Sequence, residues 1–194
     1  MVDFFTNRIL IIRNKIFFCA LFSLFFFSFN NVLYAQGAVN EYDVKKMMIL
    51  KVTTFIEWPK KSKVNDKQSN IVISIIGDNP FNGKLKKLVA NQNQKINNKQ
   101  VVVNYIKSIE DIEGSDILFI CSSEKYIVSK IIKHARNKAI LTIADTRGFT
   151  EKGVIIGLFI RNGKIALNIN KKEADKCGFY ISSSLLGNAV KVIQ

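Results

Sequence analysis

Residues 71–81 read IVISIIGDNPF, a run of mostly β-branched apolar residues followed at once by Gly77, Asp78, Asn79 and Pro80. β-branched side chains favour strands, whereas Gly and an Asn-Pro pair interrupt them. Pro80 also suits the first turn of a helix, where its missing N–H is not needed. The stretch therefore predicts a buried strand that leads into a helix, which is the repeating unit of an α/β sheet.

The same alternation continues on both sides of this stretch. Apolar runs predict further strands at 101–106, 117–121 and 139–144. Helical spacing of apolar residues predicts helices at 40–58, around Leu85, Leu88 and Val89, and at 183–192. A further helix is predicted at 122–134 and a short helical turn at 171–176.

The pattern changes near the C-terminus. Apolar runs at 154–160 and 165–169 are joined by Asn162 and Gly163, and Asn-Gly between two strands is typical of a type I′ hairpin turn. Parallel strands alternating with helices, followed by a hairpin, predict an α/β three-layer sandwich. Its sheet should be mostly parallel, with an antiparallel C-terminal hairpin and helices on both faces.

The first 35 residues predict an export signal. Arg8, Arg13 and Lys15 form a positive region, residues 16–29 carry no charge, and Ala35 offers a small residue for cleavage. We expect a signal peptide at 1–35 and a single domain at 36–194, which in a bacterial cell would reside in the periplasm. An uncleaved anchor helix is the alternative, although a span needs about 20 apolar residues.

Composition excludes several classes of protein. The chain has 194 residues, 48% of them hydrophobic, and a formal charge of +14 from 29 basic and 15 acidic residues. It is too apolar to be disordered, and its single histidine excludes a multi-histidine metal centre. The lysines are scattered rather than gathered into one arm or helix, which argues against nucleic acid and favours anionic lipid or glycan surfaces as partners of this charge.

No catalytic signature is present in the sequence. It contains no glycine-rich phosphate loop, no G-x-S-x-G elbow and no H-E-x-x-H motif. His134 stands alone among lysines and is interpreted as a surface residue. We therefore predict a protein that is not an enzyme, with no cofactor and no metal.

Five polar residues predict a small-ligand crevice. Asp78, Asn79, Ser122, Ser123 and Asp145 all follow the carboxyl ends of predicted strands, and open α/β sheets bind ligands at that edge. The alternative is that these residues only cap helices and form turns, which Asp, Asn and Ser commonly do at such positions.

Trp58 and the two later cysteines each allow two interpretations. Trp58 is the only tryptophan and precedes Pro59, so it is either a core residue or an anchor at an interface. Cys121 and Cys177 either form a disulfide in an oxidising compartment or remain two separate buried thiols.

In order and spacing, the motifs of residues 42–192 resemble the YfiR family of periplasmic proteins, also called HmsC. Each motif alone is weak, but their succession is specific. The matching segments are Tyr42-Asp43-Val44-Lys45, Phe55-Ile56-Glu57-Trp58-Pro59, Gly77-Asp78-Asn79-Pro80-Phe81, Ile117-Leu118-Phe119-Ile120, Leu141-Thr142-Ile143-Ala144-Asp145, Gly148-Phe149, residues 163–170 and residues 178–186.

The resemblance implies a non-enzymatic regulator. Similar proteins restrain a membrane diguanylate cyclase by binding its periplasmic sensor part, which lowers cyclic di-GMP and limits exopolysaccharide and biofilm. The resemblance further implies a homodimer and sequestration by an outer-membrane, peptidoglycan-binding lipoprotein. Relatives can instead accompany sensor kinases or outer-membrane transporters. Cys121 and Cys177 do not reproduce the close cysteine pair of the familiar member, which puts redox sensing in doubt.

Two groups of residues are predicted to contact the protein partner. The first group is Glu57, Trp58 and Pro59, and the second group is Arg147, Gly148, Phe149 and Glu151. For the second group, the alternative is a purely structural turn, because Gly and Phe also suit turn and core positions.

Overall fold

An eight-stranded sheet lies at the centre of the described part of the chain. The computed structural model describes residues 40–60, 62–66, 68–91 and 95–194. The predicted signal peptide lies outside the described residues. Residues 40–194 form one compact unit, and no helix within the described ranges is long and apolar enough to cross a membrane.

The predicted strands and helices occur in the predicted order, and the described residues add four short strands that were not predicted. The helices are α1 (Glu41–Thr53), α2 (Lys84–Asn91), α3 (Val128–Asn137), α4 (Lys171–Lys176) and α5 (Ser183–Gly187). The strands are β1 (Ile56–Glu57), β2 (Ile71–Ile76), β3 (Lys95–Ile96), β4 (Lys99–Ile106), β5 (Ile117–Ile120), β6 (Leu141–Ala144), β7 (Ile156–Arg161), β8 (Lys164–Asn170), β9 (Tyr180–Ile181) and β10 (Lys191–Ile193).

The main sheet is mostly parallel. Its strand order is β10-β8-β7-β6-β5-β2-β4-β3, and only the β7–β8 and β3–β4 pairs are antiparallel. The predicted hairpin is confirmed, with Arg161 opposite Lys164 and positive φ at both Asn162 and Gly163. Both central residues of a type I′ turn need positive φ, which Asn and Gly adopt at the lowest cost.

Two hydrophobic cores lie on opposite faces of this sheet. Along β5, Ile117 and Phe119 pack into the core beneath α1 and α2, whereas Leu118 and Ile120 pack into the core beneath α3. Alternate side chains of a strand point to opposite faces, so a strand buried on both sides reads as a continuous apolar run. The predicted three-layer sandwich with helices on both faces is confirmed.

The first helix is shorter than predicted. Asn40 caps it by accepting a hydrogen bond from the Tyr42 N–H at 3.0 Å, but α1 ends at Thr53 rather than at residue 58. The prediction was wrong at this end because Ile56 and Glu57 pair instead with Ile181 and Tyr180 in a separate antiparallel ribbon. That pairing is long-range and is not visible in local periodicity.

The predicted C-terminal helix was also wrong beyond its first turns. Helix α5 ends at Gly187, and residues 191–193 form β10 alongside β8, in parallel. The Val190 N–H starts this pairing by donating to the Leu167 carbonyl at 2.8 Å. The edge of β8 offers unpaired backbone groups. Hydrogen bonds to these groups favour a strand at 191–193 over the helix that the spacing of the apolar residues predicts.

Candidate functional site

The carboxyl end of β6 carries a buried ion pair. Lys45 of α1 is only 2% exposed, and its Nζ lies 2.8 Å from Oδ2 of Asp145, which is 8% exposed. Glu41, one helical turn before Lys45, is the second carboxylate partner of the same ammonium group. A buried charge needs such partners because desolvation is costly.

Tyr42 completes this cluster. Its ring lies beneath the Lys45 ammonium, 4.6 Å from Nζ to the ring centroid, and it packs edge-on against Phe81 at 5.5 Å. Burial, followed by the hydrogen bond to Asp145, raises the pKa of the Tyr42 hydroxyl above its usual range. The cluster therefore joins α1 to the carboxyl edge of the sheet through both charge and packing.

The turn that follows Asp145 borders a cleft of about 200 Å³. Phe149 anchors the turn in the core beneath α3. Gly157 of β7 and Asn168 of β8, which lie opposite each other in the sheet, form the other side of the cleft. The remaining lining residues are Asp145, Thr146, Arg147, Gly148, Thr150, Glu151, Leu158 and Phe159.

The other four predicted crevice residues do not line this cleft. Ser123 accepts a hydrogen bond from the Asp78 N–H at 2.9 Å, and Asn79 accepts one from the Phe81 N–H at 2.9 Å. Ser122 is exposed in a 3₁₀ turn. The loops after β2 and β5 press together so closely that a Cβ on Gly77 would collide with Ser123. These contacts match the capping and turn roles, and of the predicted set only Asp145 borders the cleft.

Comparison with known proteins identifies the family. The YfiR/HmsC-like family model matches residues 42–190, from the Tyr42 cluster to the residue that precedes β10. The chain belongs to the YfiR/HmsC-like family. The family is one of periplasmic regulatory proteins.

Two solved structures are similar to this YfiR/HmsC-like chain at low sequence identity, and the first of them shares its fold. A conserved domain protein from Vibrio cholerae is 12% identical with a TM-score of 0.52, over 78% of this chain and 60% of that one. A ligand-free, open substrate binding protein with adhesive properties from Clostridium difficile is 15% identical with a TM-score of 0.49, over 77% and 59%. The chain thus spans about three fifths of the length of these proteins. No curated protein matches the sequence.

The predicted partner residues of this YfiR/HmsC-like domain divide into exposed and buried positions. Trp58 is 7% exposed and packs edge-on against Phe179 at 5.9 Å, and Phe149 is 2% exposed. Both therefore occupy the core, and in this arrangement neither side chain is available to a partner. The solvent-facing members are Glu57, Arg147, Gly148 and Glu151, with Pro59 half-buried.

The two later cysteines match the second of their two interpretations, that of separate buried thiols. Cys121 and Cys177 are both buried free thiols. The charged groups near Cys121 are Asp145, Glu124 and Asp78, whereas those near Cys177 are Glu173, Arg136 and Lys176, so the two thiols lie in different surroundings. Burial is the main cause that raises the pKa of Cys121 to about 12 and that of Cys177 to about 11.

The residues at the centre of this site could not be predicted from local sequence patterns. Lys45 was counted only among the scattered lysines, and neither Tyr42 nor Asn168 was assigned a role of its own. The only signal was the Tyr42-Asp43-Val44-Lys45 motif of the family resemblance. Within the described residues, no group of three His, Cys, Asp or Glu side chains is placed to hold a metal ion.

Proposed function

We propose that this protein is a periplasmic repressor that restrains an inner-membrane diguanylate cyclase by contact with the periplasmic sensor part of that enzyme, without catalysis of its own. The observation that carries the proposal is the family match over residues 42–190. Repression would lower cyclic di-GMP and with it exopolysaccharide and biofilm output. Export by a cleaved signal peptide near Ala35 belongs to the same proposal.

The turn at 147–151 is our first candidate for the contact surface. Arg147 and Glu151 are exposed, and Glu151 forms an ion pair at 2.7 Å with Lys191 of β10. Phe149, in the middle of the turn, is buried in the core. Only Thr146 separates the turn from Asp145 of the Lys45–Asp145 pair. A rigid exposed turn loses little conformational entropy when a partner binds, which favours it as a docking element.

The ribbon formed by β1 and β9 is the second candidate. Glu57 lies opposite Tyr180 in this ribbon, and the Tyr180 side chain is 60% exposed. Tyrosine is enriched at protein interfaces because it offers a large contact area and a polar tip. Tyr180 thus extends the predicted contact set that contains Glu57.

A co-purification experiment tests the repressor proposal. The full chain with a C-terminal tag is expressed in its own host, and membrane proteins that it retains are identified by mass spectrometry. A diguanylate cyclase with a periplasmic sensor region is the expected partner. Recovery of only a sensor kinase or an outer-membrane transporter would contradict the cyclase as the partner. It would favour instead a role as an adaptor for that kinase or transporter.

Charge reversal distinguishes the contact surface from the rest of the molecule. Arg147→Glu should raise cyclic di-GMP toward the level of a gene deletion, because rim charges govern encounter with a partner. Lys130→Glu is the matched control, since Lys130 is also exposed and lies on α3. Equal cyclic di-GMP in the two variants would remove Arg147 from the contact surface.

The family resemblance also motivates two proposals about assembly. We propose a homodimer, to be tested by sedimentation equilibrium of the purified protein, where a single monomeric species would contradict it. We further propose release of repression by an outer-membrane, peptidoglycan-binding lipoprotein. If no outer-membrane lipoprotein is retained in the co-purification, that part of the proposal fails.

A further inference from the structure

Most of one edge of the main sheet has no strand beside it. On one side of β4, residues 101–106 pair with β2, whereas on the other side β3 pairs only with Lys99 and Gln100. Within the described part of the chain, no backbone hydrogen bond of a turn or loop engages residues 101–106 either. The outward N–H and C=O groups of these residues are therefore available to another strand.

This edge carries none of the features that commonly prevent a strand from pairing. Native proteins block exposed edges with charged residues, prolines or bulges. Residues 101–106 read VVVNYI and contain no charge and no proline. Each of them pairs with one residue of β2 in an unbroken register, and none has a positive φ. The edge is therefore regular enough to receive a further strand.

Apolar side chains are exposed along the same edge. Val101 and Val103 pack into the core beneath α1 and α2, whereas Val102, on the opposite face of the strand, is 38% exposed. Tyr105 is 45% exposed, and its ring lies beneath the Lys86 ammonium of α2 at 5.9 Å. A strand added here would cover part of Val102 and Tyr105, and removing apolar surface from water favours association.

The edge is complementary to itself when two copies run antiparallel. A two-fold axis perpendicular to the sheet at Asn104 places Val102 opposite Ile106 of the second copy. Val103 then lies opposite Tyr105, and every opposed pair shares one face of the sheet, as the pleat requires. Pairs of β-branched and aromatic residues stabilise antiparallel strands, and the two Asn104 amides can hydrogen-bond to each other. No charge is opposed to another, so the edge fits a second copy of this chain.

The opposite edge of the sheet is less suited to pairing. It is formed by β10, which has only three residues and begins with Lys191. A short edge strand that carries a lysine is one of the usual devices against further pairing. Of the two edges, β4 therefore offers the longer uncharged stretch.

We propose that two copies of this chain pair antiparallel through residues 102–106 of β4, so that their two eight-stranded sheets become one continuous sheet. The inference rests on the homodimer proposed above and names its interface. A two-fold interface of this kind uses the same patch on both copies and closes at two. Because β5 and β2 separate β4 from β6, the turn at 147–151 stays uncovered in each copy.

Sedimentation equilibrium of charge variants tests this interface. Asn104→Lys places two lysines opposite each other on the two-fold axis, and like charges directly opposite destabilise paired strands. Asn104 is exposed, so the variant should remain folded. We expect the dissociation constant of the dimer to rise at least about tenfold. Gln100→Lys is the matched control, because it adds the same charge to an exposed position of the same strand outside the paired residues, and it should dimerise nearly as the parent does.

Cross-linking tests the register. In Asn104→Cys the two new thiols face each other, since opposite Cβ atoms in antiparallel strands lie about 4.5–5.5 Å apart. Mild oxidation should therefore give a covalent dimer on a non-reducing gel. Cys121 and Cys177 are buried, so the parent should give none. Gln100→Cys, outside the paired residues, should give none either.

The outcomes separate this inference from the proposals on which it rests. A dimeric parent whose dissociation constant is the same in Asn104→Lys would overturn the β4 interface and leave the homodimer intact. A covalent dimer in Gln100→Cys but not in Asn104→Cys would overturn the register centred on Asn104. A monomeric parent would overturn both the interface and the homodimer. Retention of the cyclase in the co-purification experiment decides the repressor proposal independently of all three results.

Discussion

The ammonium group of Lys45 and the carboxylate of Asp145 meet at 2.8 Å although 100 residues separate them in the sequence. Lys45 belongs to the first described helix, and Asp145 follows the sixth strand directly. Both side chains are almost fully removed from solvent. The pair therefore fixes the position of α1 against the edge of the sheet from which the 147–151 turn emerges.

Replacing Lys45 by Met should destabilise the protein strongly. The substitution leaves Asp145 buried without its ammonium partner, and breaking a buried ion pair in this way costs about 3–5 kcal/mol. Urea unfolding followed by circular dichroism measures the change in the free energy of unfolding. Lys46→Met is the control on the same helix: Lys46 pairs with Asp43 on a more exposed surface, so this variant should change stability little.

The double variant Lys45→Met with Asp145→Asn separates lost charge from lost packing. Removing both charges avoids the uncompensated carboxylate, so a substantial part of the lost stability should return. A double variant as unstable as Lys45→Met alone would show that packing of the lysine stem, rather than the ion pair, supports the edge of the sheet.

Alkaline pH should weaken the fold through its two buried thiols. The folded state raises the pKa of Cys121 to about 12 and that of Cys177 to about 11, against a usual value of 9.0. The folded protein therefore holds more protons than the unfolded chain above about pH 9, and stability must fall as pH rises from there toward about pH 12. Unfolding free energies at about pH 7 and about pH 10 test this. Cys121→Ala should show a smaller decline than the parent, and an equal decline would assign the effect to other groups.

Reducing agent should leave the thermal stability of the protein unchanged. Cys121 and Cys177 are free in this structure, so among the described residues there is no cross-link for a reductant to break. Thiol titration should detect these two cysteines only after unfolding, since buried thiols with raised pKa values react slowly. A melting temperature that falls in dithiothreitol would mean that the two cysteines are bridged in solution.

The layered fold could be predicted from the sequence because its decisive signals are local. The apolar run at 71–76 and the Asn162-Gly163 turn each specify their own conformation, and both are found as predicted. The two wrong predictions concern short strands, β1 and β10, whose partners are remote in the sequence. Helical spacing of apolar residues cannot reveal a backbone partner that the rest of the fold supplies.

The site could be predicted only in part, because its chemistry depends on burial. Asp145 was recognised from its place after a strand, whereas Lys45 looks like any other lysine of this Lys-rich chain until α1 is packed on the sheet. The caps at Asn79 and Ser123 show the converse case, since polar residues after strands often satisfy only local backbone groups. Asp145 therefore differs from Asn79 and Ser123 in having a buried ion-pair partner, which the residue type alone does not reveal.

Gly157→Ala should fill the floor of the cleft and destabilise the protein. The added Cβ would lie 2.8 Å from Thr150 Cγ2, closer than carbon atoms approach without strain, and overpacking of this kind costs about 1–3 kcal/mol. Gly187→Ala is the matched control, because Gly187 ends helix α5 and a Cβ there meets no atom within 4 Å. Alanine should be neutral or slightly stabilising at that position. Denaturant unfolding of both variants gives the comparison. If Gly157→Ala is as stable as Gly187→Ala, then Thr150 can move aside and the floor of the cleft is not rigid.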